Sequence, residues 1–167
     1  MVTGGVTARA VAETVTDPEL PMLTLADLGV LREVAQDGGT VIVSITPTYT
    51  GCPAMDTMRD DLVHALRRAG FADVEVRTVL QPAWSTDWIS AAGRRKLAEA
   101  GIAPPRGAPR PAGGPIPLAL GAPPDAVRCP HCGSARTRLV SYFGATACRS
   151  LHRCGQCQEP FEHVKEI

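Results

Sequence analysis

Apolar residues at 55, 58, 62, 65, 66 and 69 fall on one face of a helix, which predicts an amphipathic helix from Met55 to Ala69. Pro53 suits its first turn, where a missing N–H is not required, and Gly70 ends it. Ahead of this helix, "VLREVAQ" and "TVIVSIT" flank Asp37-Gly38-Gly39. Glycine tolerates the positive φ angles of tight turns, so the pair reads as a β-hairpin. Behind the helix, "DVEVRTVL" alternates like a strand, and a last helix is expected from Trp88 to Ala100 with Asp87 as its cap. Nearer the start, Ala8 to Val15 reads as a short helix ended by the turn-forming "TDPELP", and a further helical turn covers Leu25 to Leu28. The order α-β-β-α-β-α predicts an α+β fold, a small two-layer domain over residues 1–102 with helices on one face of a sheet.

The pattern breaks at Ala103. From there to Ala126 the chain reads "APPRGAPRPAGGPIPLALGAPPDA", which holds eight of the 15 prolines and four glycines. Prolines at this density remove backbone donors and forbid helix, so residues 103–126 are expected to be an extended, semi-rigid linker. Residues 127–167 then form a second, smaller unit.

Charge changes the picture only locally. Lys+Arg and Asp+Glu are both 17, which gives no global attraction to nucleic acid or membrane. Residues 1–102 hold nine basic and 13 acidic side chains, whereas residues 127–167 hold six and three. The two units therefore carry opposite signs, although a small excess of positive charge is weak support for nucleic-acid binding. No basic-then-apolar leader and no apolar run of membrane-spanning length is visible, so the expected location is cytoplasmic. Thiols stay reduced there, and paired cysteines then point to metal before disulfides.

Cys129-Pro-His-Cys132 and Cys154-Gly-Gln-Cys157 are two such pairs, 21 residues apart. Two residues between thiolates let one turn present both sulfurs to one metal, and two turns complete a tetrahedron. Gly133 follows the first pair, where the chain must turn back. "TRLVSYF" and "PFEHVKEI" supply strand-like segments, so the pattern is that of a zinc ribbon. Four thiolates suit zinc and also iron. With every position filled by protein, the site is structural, with no place for water or substrate. His131 and His152 are read as surface histidines on the knuckles. Cys148 is either a small buried side chain or a spare ligand.

Cys52, in "ITPTYTGCPAMDTM", stands apart from the other five cysteines. A thiol at a helix N-terminus feels the positive end of the dipole, and hydroxyls at 46, 48, 49 and 50 are close by in sequence. It is either a working thiol or a structural one. No His or Cys adjoins it to act as a base, so an enzyme nucleophile is not indicated. Asp17 and Glu19 offer an acidic pair, with solvated turn residues as the plainer reading.

"DPELPMLTLADLGVLREV", "ITPTYTGCPAM" and "LQPAWSTDWISAAGRRKLAEAGIAPP" resemble the iron–sulfur assembly domain of SufT-like proteins and of the eukaryotic cytosolic iron–sulfur targeting factors. With "CPHCGS" and "SYFGATACRSLHRCGQCQEPFEHVKEI" added, the resemblance extends to the PaaD family, accessory proteins of the multicomponent phenylacetyl-CoA epoxidase, over nearly the whole chain outside the linker. It implies a non-enzymatic maturation factor with zinc in the ribbon. Cys52 would be the labile ligand of a transient iron–sulfur cluster, and Asp17, Glu19, Thr48 and Cys148 possible helpers. The implied partners are the oxygenase or reductase components of the epoxidase, or a second protomer, since one cysteine cannot hold a cluster alone. The competing implication is a structural subunit that docks through its ribbon, with Cys52 as inert packing.

Overall fold

A computed structural model of the protein describes residues 6–49, 51–107 and 127–166. The chain divides into two compact units, Met1–Gly93 and Arg94–Ile167.

In the first unit, strands β1 (Leu31–Asp37) and β2 (Thr40–Ile45) form the expected hairpin, with Asp37 opposite Thr40. Gly38 and Gly39 turn it with φ of 57° and 98°. Strand β3 (Val74–Thr78) runs parallel to β2 on its other side, which gives the order β1-β2-β3. A parallel neighbour requires a crossover. Helix α2 (Met55–Arg68) provides it, and Met58, Leu62 and Leu66 form its buried row at four-residue spacing. Val41, Val43 and Ile45, alternate residues of β2, are fully buried with them in the core of the unit. Burying each of these larger side chains contributes roughly 1.5–3 kcal/mol.

Helix α1 (Ala8–Ala12) is shorter than the pattern to Val15 implied. Thr7 caps its start, and the Thr14 hydroxyl donates to the Val11 carbonyl at 2.7 Å, which competes with further helix. The expected turn at Leu25–Leu28 is present. The Leu28 amide donates to the Thr24 carbonyl, while Thr24 and Asp27 exchange side-chain-to-backbone bonds across it. The last helix begins later than expected. Thr86–Trp88 coils as a separate 3-10 turn capped by Ser85, and α3 spans Ala91–Glu99. Its cap is Ser90, not Asp87: the Ser90 hydroxyl accepts the Gly93 amide at 2.9 Å and donates to Asp27 at 3.1 Å.

The second unit holds a sheet of order β4-β7-β6-β5, with β4 (Ile102–Ala103), β5 (Thr137–Ser141), β6 (Arg149–Cys154) and β7 (Pro160–Val164). The last three strands run antiparallel, and β4 lies parallel to β7. The first unit was expected to run to residue 102 and the linker to begin at Ala103. Ile102 and Ala103 instead pair with Glu162 and His163, within the second unit. Most of the expected linker, residues 108–126, lies outside the described residues.

Candidate metal centre

The two Cys-x-x-Cys loops face one another. Cys129 Sγ lies 3.7 Å from Cys157 Sγ, and Cys132 Sγ lies 3.6 Å from Cys154 Sγ, two contacts that run between the loops. All four sulfurs lie within 4.8 Å of one another. A disulfide would need about 2.05 Å, and none of the six cysteines is disulfide-bonded. A tetrahedron with metal–sulfur bonds of about 2.3 Å has edges of about 3.8 Å, so the donor set fits a thiolate-bound metal as it stands.

Backbone geometry builds each loop. In the first, the Gly133 amide donates to the Cys129 carbonyl at 2.8 Å, and Gly133 takes φ 73°. In the second the left-handed position falls to Gln158, φ 64°, a non-glycine residue held there by its own side-chain amide bonded to the Gly155 carbonyl. The amides of Cys157 and Gln156 donate to Cys154 Sγ at 3.5 and 3.3 Å. Led by the Cys157 amide, these bonds hold the Cys154 thiol down at about 6 against burial. That loop therefore favours one thiolate, on Cys154, while the Cys157 thiol beside it is pushed up to about 12, the Glu159 backbone bond being outweighed by burial and the neighbouring cysteines. The core around the site is small: Ala103, Cys129, Cys154 and Phe161, flanked by Val127 and Cys157. A metal bound here would tie the two loops together and replace the apolar core that the unit lacks.

Cys148 is not in this group among the described residues; it is half-buried, with the Thr146 hydroxyl 3.1 Å from its sulfur. His131 is exposed, as expected. His152 is a correction, since it is buried, stacked on Phe161 at 5.6 Å, with Nε2 3.0 Å from the Ser150 hydroxyl. His163, also buried, lies edge-on to it and pairs with Glu166 at 3.3 Å. Burial lowers the pKa of both rings; the charge of His163 lowers that of His152 further, while Glu166 opposes the effect at both. The sequence does not announce this pair, because buried histidines on a strand break the apolar alternation that betrays a core.

In the first unit, Cys52 is half-buried three residues ahead of α2, and its carbonyl accepts the Met55 amide. No side chain caps the helix at Ala54. Gly51, φ 83°, turns the chain just before it, and Thr50 lies outside the described residues. Thr46, just after β2, is 2% exposed, and its hydroxyl is buried with no hydrogen-bond partner among the described residues. Asp17 is buried too, which corrects the solvated-turn reading: its carboxylate accepts the amides of Glu19 and Leu20 at 2.7 and 2.8 Å. Glu19 and Thr48 are half-buried. Asp17, Glu19, Thr48 and Cys52 belong to the first unit, Cys148 to the second.

A protein of Escherichia coli (strain K12), named as one of the subunits of 1,2-phenylacetyl-CoA epoxidase, is 43% identical over 158 residues, 95% of this chain and 90% of the relative. The chain belongs to the PaaD family. Residues 115–165 match the PaaD zinc beta ribbon domain, and residues 7–78, which include Cys52, match the iron-sulfur cluster assembly protein family. Among solved structures, a domain of unknown function, DUF59, from Bacillus anthracis is similar at 28% identity and a TM-score of 0.50. The match covers 54% of this chain and 87% of that one. A conserved hypothetical protein from Thermotoga maritima is also 28% identical, covering 57% of this chain and 94% of its own, with a TM-score of 0.45. The expected architecture, a PaaD-type ribbon joined to an assembly-type α+β domain, is thus the one found. No helix among the described residues is long and apolar enough to cross a membrane.

Proposed function

We propose that the chain is a non-catalytic subunit of a phenylacetyl-CoA epoxidase that matures a metal-containing component of that enzyme, with Cys52 as the transient ligand of the iron–sulfur cargo. The observation that supports the reading is the position of Cys52: within the assembly-type match over residues 7–78 it is the one cysteine, half-buried three residues ahead of α2, whose first turn no side chain caps at Ala54. Proximity to the positive end of the helix dipole favours a thiolate. A single half-buried thiol is a poor permanent cluster site and a suitable transfer site, because the remaining ligands must come from the donor, the client or a small thiol. The four ribbon cysteines would hold zinc, which supplies structural cross-linking only.

The test is client maturation. The epoxidase components are produced with the wild-type chain, with Cys52→Ser, or with a chain lacking residues 127–167, and the iron and sulfide content of each purified component is measured. The reading requires Cys52→Ser to leave a component deficient in iron while the variant itself stays folded. Full maturation by Cys52→Ser would sink it.

A further inference from the structure

The second unit holds a hollow of about 210 Å³ beside His163 of β7. Ala103, Pro104 and Pro105 line it where the chain leaves β4, and Val127 lines it just ahead of the first cysteine loop. These walls are fixed. Ala103 pairs with His163 across β4 and β7, the Pro105 carbonyl accepts from the Arg94 guanidinium, and the Val127 carbonyl accepts the Thr137 hydroxyl at 2.6 Å. The two prolines, with φ locked by their rings, stiffen the wall further. An apolar cavity of about 150 Å³ takes benzene, so this hollow has room for one ring and a short arm.

The polar groups around the hollow are of one kind. Arg106 and Arg128 border it and are exposed, and His163, 5% exposed, lines it from within. No carboxylate among the described residues lines it. Glu166 Oε1 lies 3.3 Å from His163 Nε2 and accepts the Arg106 amide at 3.4 Å, while Arg128 Nη1 donates to the Gly133 carbonyl at 3.2 Å. Burial lowers the pKa of His163, Glu166 opposes this, and the Arg106 charge lowers it further, so that guanidinium acts within electrostatic reach of the ring. Two guanidiniums outnumber the one carboxylate nearby, which leaves the hollow electropositive.

Guanidinium matches a carboxylate through paired N–H donors and sheds its hydration more readily than an ammonium does. Apolar walls reward a hydrocarbon body, and a few placed polar groups at the mouth fix its orientation. The combination favours a ligand that has both parts. Inorganic phosphate lacks the body, and an uncharged arene lacks the anion.

We infer that this hollow binds a small monocarboxylate whose apolar body is about one ring in size, with Arg106 and Arg128 at the carboxylate and Ala103, Pro104, Pro105 and Val127 against the ring. The inference uses none of the cysteines, so it stands or falls apart from the cluster reading. Benzoate, added to the full-length, metal-loaded chain while NMR amide shifts are followed, tests it. A saturable shift centred on Ala103, Arg106, Val127, Arg128 and His163 is expected, at millimolar ligand because so few atoms make contact. Acetate has the carboxylate without the ring, and benzyl alcohol the ring without the charge; each should bind at least about fivefold more weakly than benzoate. Arg106→Gln/Arg128→Gln should weaken benzoate at least about tenfold and leave benzyl alcohol unchanged. Unchanged melting and metal content establish that the variant is folded; if it fails that check, Arg106→Gln alone carries the test, since Arg128 adjoins Cys129. No saturation by benzoate, a saturable shift centred elsewhere, or undiminished benzoate binding by the folded variant would each overturn the inference. So would acetate binding as well as benzoate, which makes the site a bare anion patch, or benzyl alcohol doing so, which makes it a bare apolar hollow.

Discussion

Arg149 Nη1 and Glu162 Oε2 lie 2.6 Å apart beneath the β5–β6 loop, with the arginine side chain 9% and the glutamate 22% exposed. Glu162 also accepts the Ala145 amide through its other oxygen. Removing its charge leaves a nearly buried guanidinium without its counter-ion. Glu162→Gln is therefore expected to destabilise the second unit by about 2–3 kcal/mol, read by urea unfolding of the metal-loaded protein. A loss below about 0.5 kcal/mol would mean that the pair is solvated in solution.

Gly29 shows the same kind of constraint in the first unit. It takes φ 70°, and a Cβ there would lie 2.6 Å from the Trp88 Cβ and 2.8 Å from the Trp88 carbonyl oxygen. Backbone cannot yield as a flexible side chain would. Gly29→Ala should destabilise the first unit by about 2–3 kcal/mol or more, with both the left-handed angle and the overlap contributing. A thermal melt unchanged from wild type would contradict this close approach.

Metal removal should act on one unit only. The ribbon buries too few apolar side chains to fold without a cross-link, whereas the first unit has its own core of β2 and α2 side chains. A strong chelator, or Cys132→Ser, is expected to collapse the amide dispersion of residues 127–166 in NMR spectra and leave that of residues 6–93 in place. Retained ribbon dispersion in a zinc-free protein would show that the metal is dispensable for the fold.

The buried histidines give the ribbon a pH dependence. Burial depresses the pKa of His152 and His163 in the folded state, so the unfolded chain binds more protons as pH falls from neutral. The stability they contribute is present above the ordinary histidine pKa and is lost as pH drops through the folded values. The imidazole proton resonances of both should titrate below the usual histidine range. Midpoints at or above the usual range for His152 and His163 would contradict their burial.

Much of this architecture is legible in the amino-acid sequence. The Asp37-Gly38-Gly39 turn and the Met55–Ala69 periodicity each report one local physical requirement, and the structure meets both. The cysteine spacing does so for the ribbon, because two loops of this kind have few other uses. β6 is not legible. Its buried positions are Arg149, Ser150, His152 and Cys154, which are satisfied by an ion pair and hydrogen bonds and so leave no apolar alternation. Two-residue β4 is too short for any period. Asp17 reads as solvated because "TDPELP" is a turn sequence, yet the turn folds its amides onto the carboxylate and buries it. The place of Cys52 ahead of α2 is legible as well, from Pro53 and the Met55–Ala69 period, and the fold adds that no side chain caps that helix.

The most direct test of Cys52 as a cluster ligand is anaerobic iron–sulfur reconstitution of the purified wild-type chain and Cys52→Ser, reading iron, sulfide, zinc and visible absorption. Wild type is expected to gain iron and sulfide with the charge-transfer absorption of a cluster, Cys52→Ser to gain neither, and both to retain one zinc. Equal uptake by the two proteins, or none by wild type, would contradict that role.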